Sequence, residues 1–211
     1  MKGEVTIGVI GVQGDIEENI AATKEALKHM QLKGTVEPVR YSEEIEKVDS
    51  LILPGGESTV ISTLTAIQGG TLQTIRRLVS NGMPIMGTCA GMIMLSKRAY
   101  DRVVGETKQQ LMGNLDIVVE RNAFGRQNDS FEADLEISTL GKNTFKGIFI
   151  RSPIVREVGD RVDKIAEFNN KIVAVKQQNI IGTAFHPELS GDDRLHRYFI
   201  NIVIDFKKKQ Q

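Results

Sequence analysis

The chain has 211 residues, 40% hydrophobic and 26% charged, a balance that suits a folded globular protein rather than a disordered one. Its 27 basic and 27 acidic side chains cancel, which leaves no electrostatic footprint for a nucleic-acid partner. No apolar run is long enough to cross a bilayer as a helix, the first residues lack the apolar core of a signal peptide, and a single cysteine excludes an internal disulfide framework. The expectation is one domain over residues 1–211 in a reducing, cytoplasmic compartment, with no membrane association.

Residues 5–10 are apolar and β-branched and predict a buried first strand. Gly11-Val12-Gln13-Gly14 turns the chain, and Asp15 is placed to cap a helix reaching about Met30, with Ile16, Ile20, Leu27 and Met30 on one stripe and Thr23 as its polar gap. The G-x-G-x-x-G spacing of a dinucleotide site is absent. Residues 36–40 and 50–53 predict two more strands, the latter stopped by Pro54-Gly55-Gly56. Ser58 or Thr59 can cap the next helix, which Gly69-Gly70 breaks. Residues 71–80 predict another helix, ended by Asn81-Gly82.

Residues 83–86 predict a buried strand running into Gly87-Thr88-Cys89-Ala90-Gly91, and residues 92–97 the opening of a longer helix after it. Small residues at a strand-to-helix turn around one nucleophile have the form of a nucleophile elbow. A cysteine at a helix N-terminus sits where the dipole and free N–H groups favour the reactive thiolate and can receive an oxyanion. Strands alternating with helices imply a parallel sheet covered on both faces, with its site at the carboxyl ends of the strands, where Gln13, Gly56 and Cys89 all fall.

Residues 100–110 are polar and predict a loop. After about Leu111 the pattern changes: residues 115–120, 130–137, 147–151, 165–168, 172–176 and 180–185 predict strands without long helices between them. Asn169-Asn170 and Gln178-Asn179 fit tight hairpin turns, so this half is partly antiparallel. Residues 192–207 predict a closing helix. The fold class is therefore α/β, a three-layer, mostly parallel open sheet with an antiparallel extension.

The last strand ends in His186-Pro187-Glu188. In an extended chain, side chains two apart share a side, so Glu188 can reach the His186 ring, fix its tautomer and stabilise imidazolium. His186 can then serve Cys89 as base and acid. His29 lies at a helix end, where a cation complements the dipole, and His196 among Asp193, Arg194 and Arg197 fits a solvated face. Neither has ligand spacing to another histidine or cysteine, so no metal is assigned.

Pro54-Gly55-Gly56-Glu57-Ser58-Thr59, the elbow and His186-Pro187-Glu188, in that order, resemble a class I (triad) glutamine amidotransferase. Gly8-Val9-Ile10-Gly11-Val12-Gln13-Gly14, Arg121-Asn122-Ala123-Phe124-Gly125-Arg126-Gln127 and Phe149-Ile150-Arg151-Ser152-Pro153 narrow the resemblance to glutaminase subunits of pyridoxal 5′-phosphate synthase. Asn19 departs from that pattern, which has a histidine there; it is expected off the triad, at the surface or a partner contact.

The resemblance implies a Cys89–His186–Glu188 triad that hydrolyses L-glutamine through a glutamyl thioester. It implies oxyanion donors in the backbone N–H groups of Gly56 and Ala90, and glutamine contacts at Gly56, Glu57, Ser58, Arg121, Ile150 and Arg151. Either arginine could meet the substrate carboxylate. No cofactor is implied. The implied partner is a (β/α)8-barrel synthase subunit in a large hetero-oligomer, which would receive the ammonia. A glutaminase of another biosynthetic pathway and a cysteine peptidase of similar fold are the alternatives.

Overall fold

The computed structural model describes residues 4–67, 70–101, 103–124 and 130–210. The first half alternates strand and helix: β1 (Val5–Ile10), α1 (Ile16–His29), β2 (Gly34–Val39), the short α2 (Ser42–Ile45), β3 (Ser50–Leu53), α3 (Ser58–Ile67), α4 (Thr71–Ser80), β4 (Ile85–Thr88) and α5 (Ala90–Leu95). Next come β5 (Ser96–Asp101), β6 (Gly105–Glu106), β7 (Leu115–Glu120), β8 (Ser130–Leu135), β9 (Phe145–Ile150), β10 (Ile154–Val158), β11 (Asp163–Phe168), β12 (Lys171–Gln177), β13 (Ile180–Thr183) and α6 (Arg194–Lys209).

One large sheet runs β2-β1-β3-β4-β13-β12-β10-β7-β5-β6, with β11 paired to β12. From β2 to β13 every neighbour is parallel. β13 then meets β12 antiparallel, and β12, β10 and β7 continue so. β3 and β4 are buried at every position, as strands covered on both faces must be. Their unbroken apolar runs follow from that double burial. The helices form two groups: α1 packs with α6, and α3 with α4 and α5. The expected parallel sheet with an antiparallel extension is the observed architecture.

β8 and β9 form a separate two-stranded antiparallel sheet. A lone hairpin is marginal in water. This one is held by rings: Phe131 stacks on Phe149 at 4.6 Å, Phe124 and Phe168 close around them, and Phe149 reaches Phe185 at 5.7 Å. Each aromatic pair adds about 0.5–1.5 kcal/mol beyond its buried area, enough in sum to fix the hairpin against the end of β13.

Several local expectations need correcting. The helix after Cys89 spans six residues; the Ser96 hydroxyl donates to Ile93 O at 2.7 Å, and the chain turns extended into β5. The polar stretch 100–110 is not all loop, because it contains the end of β5 and the β5–β6 pairing. β10 escapes detection because Arg156 and Glu157 interrupt its apolar pattern. Asn169, Asn170 and Gln178 all take positive φ, as tight hairpin turns require. Gly69 and residues 125–127 lie outside the described residues.

Three polar residues read as surface or gap, Thr23, Asn19 and His196, are buried. Thr23 bonds the Asn19 carbonyl at 2.6 Å, which lets it sit inside. Asn19 is fully buried rather than at the surface, its amide donating to Asp15 O at 2.8 Å. His29 pairs with Asp193 at 2.7 Å and ties the end of α1 to the start of α6. His196 is also fully buried, not solvated: it shares the inner face of α6 with Phe199, Ile200 and Val203, and neither ring nitrogen has a partner among the described residues.

Burial pushes His196 from its ordinary 6.5 down to about 4, against the opposing charge of Asp193. As pH falls through that window the unfolded chain takes up a proton that the folded protein refuses. The neutral ring's contribution to stability is thus present above 6.5 and lost towards 4. His196→Leu, which removes both unpaired nitrogens, should lose less melting temperature than the wild type between about pH 7 and pH 4.5 in calorimetry.

Candidate active site

The site lies where four parallel strands end side by side. β1 runs into the Gly11–Asp15 turn, β3 into Pro54–Glu57, β4 into Cys89 and β13 into His186. Register brings them level: Val9 pairs with Ile52, Leu53 with Gly87, and Thr88 with Thr183.

Cys89 takes φ +49° and ψ −103°, a strained conformation for a side chain with a Cβ. It is held there by its own N–H on Thr183 O at 2.7 Å and by Ile93 N–H on its carbonyl at 3.2 Å. The flanking glycines answer to space rather than to φ. A Cβ on Gly91 would lie 2.0 Å from Leu53 O, and one on Gly87 would lie 2.7 Å from the Gly91 carbonyl carbon. The Cys89 Sγ lies 3.8 Å from the carbonyl oxygen of Ile150, which brings β9 to the nucleophile.

His186 follows β13 in extended geometry, its N–H on Ile148 O at 2.8 Å. Glu188 reaches it by a different route from the extended one expected. Residues Pro187–Leu189 form a 3-10 turn, which curls the Glu188 side chain back so that Oε1 lies 2.9 Å from His186 Nδ1. The same nitrogen lies 3.2 Å from Asp15 Oδ2, a contact that sequence reasoning missed by taking Asp15 as a helix cap. Asp15 makes no capping bond at all. The available signal was its place at a strand's carboxyl end, alongside Gln13.

With Nδ1 turned to two carboxylates, the other ring nitrogen is left for Cys89, whose sulfur is among the groups that favour a charged ring. Burial opposes a charged imidazole. The Asp15 carboxylate, the Cys89 sulfur and the Glu188 carboxylate outweigh it and push His186 from 6.5 up to about 12. The hydrogen bond to His186 in turn holds the Asp15 carboxyl below its ordinary value.

The other residues expected to contact substrate gather alongside. Gly56 has φ +146°, and the N–H of Glu57 donates to Gln13 Oε1 at 2.8 Å. Glu57 accepts from Arg121 at 3.0 Å and from Thr59. Although burial opposes its charge, the Thr59 hydrogen bonds and the Arg121 and Arg151 cations hold its carboxyl low. Ser58 donates to Gln109 Oε1 at 3.2 Å. The Ile150 N–H donates to Ser152 Oγ at 3.0 Å, and Arg151 follows at φ +43°. Ala90 opens α5 directly after the nucleophile. A cleft of about 640 Å³ borders this group through Thr59 and Arg121.

Asp15, His186 and Glu188 offer ligand-type atoms within 4.8 Å of one another. Glu188 is already hydrogen-bonded to Nδ1 and Asp15 ion-paired with it, so the donors are committed and no metal is assigned.

A base held by carboxylates beside a thiol, next to a strained turn, is an arrangement for nucleophilic attack on a carbonyl carbon. A sequence profile described as the SNO glutamine amidotransferase family matches residues 9–205. The chain belongs to this glutamine amidotransferase family. The amidotransferase is 44% identical over 202 residues to a protein of Nitrosopumilus maritimus named pyridoxal 5′-phosphate synthase subunit PdxT, covering 96% of this chain and 98% of the relative. It is 47% identical over 196 residues to the protein of that name from Archaeoglobus fulgidus, covering 93% and 97%. A solved structure described as a glutamine amidotransferase superposes with a TM-score of 0.80 at 41% identity, over 93% of this chain and 98% of that one.

Cys89 is the sole cysteine of this amidotransferase, so alkylation by iodoacetamide reads the site directly. His186→Ala should slow that alkylation at neutral pH by about tenfold or more, followed by intact-mass spectrometry, because the thiolate loses its proton acceptor.

Proposed function

We propose that this amidotransferase is the glutaminase subunit of a pyridoxal 5′-phosphate synthase, working as one domain in the cytoplasm and passing ammonia to a separate synthase subunit. The observation that carries the chemistry is the His186 ring, set between the Cys89 thiol and two carboxylates at the ends of parallel strands. The relatives' names support the pathway.

Cys89 Sγ attacks the side-chain amide carbon of L-glutamine. The C=O electron pair moves to oxygen, where the backbone N–H groups of Gly56 and Ala90 receive it. Collapse breaks the C–N bond, and the departing nitrogen takes the His186 proton and leaves as ammonia. His186 then draws a proton from water as the water attacks the thioester carbon. The second collapse expels the Cys89 thiolate and frees L-glutamate. Acylation caps the sulfur, one of the groups that raise the His186 pKa. The imidazole therefore gives up its proton more readily in the acyl-enzyme, when a base is needed.

Glu57, Ser58, Arg121, Ile150 and Arg151 form the glutamine pocket with Gly56. They offer cations for the substrate carboxylate and acceptors for its ammonium. The acceptor subunit is a (β/α)8-barrel synthase in a hetero-oligomer. Its docking face includes Gln13 and the Gly56 loop, whose contact through Glu57 N–H lies at the strand ends.

The test is ammonia release from glutamine by the protein alone and with a pyridoxal 5′-phosphate synthase subunit. Release should rise with the partner and fall to background in Cys89→Ala; a wild type silent in both conditions refutes the assignment. Gln13→Ala should lower the partner-stimulated rate about fivefold, the equivalent of one hydrogen bond of about 1 kcal/mol.

A further inference from the structure

The turn from β1 into α1 carries a carboxylate that the triad does not include. Asp15 stands at the N-cap of α1, where such a side chain ordinarily accepts from first-turn N–H groups, yet it makes no bond of that kind. Its Oδ2 lies 3.2 Å from His186 Nδ1 instead, the nitrogen that Glu188 Oε1 meets at 2.9 Å.

The backbone keeps it there. The Asp15 N–H donates to Gly55 O at 3.3 Å, and the Asp15 carbonyl accepts from the Asn19 N–H at 3.2 Å and from the buried Asn19 amide at 2.8 Å. The turn and the Gly55 loop are in contact: a Cβ on Gly14 would lie 1.7 Å from Gly55 O. A Cβ on Gly55 would lie 2.4 Å from His186 Cε1 and 2.7 Å from Asp15 Oδ2. The loop is therefore shaped to let this carboxylate and this ring meet.

We propose that Asp15 is a positioning residue for His186: it shares the Nδ1 proton with Glu188 and joins the first turn of α1 to the catalytic imidazole. Its effect on catalysis rests on the glutaminase reading; its effect on the ring does not. Two carboxylates converging on one nitrogen repel each other unless the ring between them is charged, so the geometry itself calls for imidazolium. The titratable groups facing the ring are Asp15 from α1, Glu188 from the 3-10 turn and Cys89 from the elbow. Glu188 is the fixed partner, with its side chain fully buried and Oε2 unpartnered among the described residues. Asp15 is the adjustable one, partly open to solvent and carried on the turn that also holds Gln13. A shift of that turn reaches the Gly56 loop through Gln13 and the imidazole through Asp15 together.

The chain has three histidines, so ¹⁵N-histidine NMR of the free protein resolves the His186 titration. Asp15→Asn, isosteric and uncharged, should lower the His186 pKa by about one unit or more, and Asp15→Ala should do the same without leaving an acceptor. With the synthase subunit present, the alkaline limb of kcat/KM should move down by a similar amount while KM for glutamine changes less than about twofold. A His186 titration within about 0.3 unit of wild type in both variants overturns the proposal, as does a loss confined to KM with an unmoved pH profile. A wild type that releases no ammonia overturns the glutaminase reading alone, and the NMR titration then still decides the role of Asp15.

Discussion

The rest of the site depends on one nitrogen. His186 Nδ1 is the meeting point of the 3-10 turn after β13 and the turn before α1, and its commitment to two carboxylates decides which face of the ring remains for sulfur. A ring free to turn could offer either nitrogen to Cys89. Here the ring's orientation is settled before any substrate arrives, by charge and by a backbone that cannot relax without moving Gly55. The strained φ of Cys89 has the same logic: Thr183 and Ile93 hold it from either side, so the local cost is met by the sheet.

Much of this was legible in the sequence. The parallel strands announce themselves as unbroken apolar runs, because a strand covered on both faces has no polar side to show. Cys89, His186 and Glu188 stand out in the sequence because each sits at a punctuated strand end, marked by Gly or Pro. The Asn169-Asn170 hairpin was found because the turn needs residues that tolerate positive φ.

What escaped notice did so for physical reasons. Asp15 carries the same local signature whether it caps a helix or reaches across the sheet, and only the strand order β1-β3-β4-β13 brings the ends of β1 and β13 to one edge. His196 and Asn19 look polar and therefore exposed; a helix face decides their burial, and in α6 the charged neighbours Asp193, Arg194 and Arg197 masked it. β10 is short and carries charges outward, so its apolar pattern is too brief to register. Glu188 was assigned to the right partner through the wrong backbone, because a 3-10 turn and a strand can both bring a residue two positions on to the same ring.

The place of β13 between β4 and β12 has a consequence for how the molecule comes to be. Ile85 pairs with Ile180, so the His186 ring comes to Cys89 on a strand made long after the elbow itself. Pairings of such sequence separation are slow to form, and a chain synthesised only as far as β12 holds Cys89 without the His186 ring. The two side chains therefore meet only once the C-terminal half of the sheet is in place.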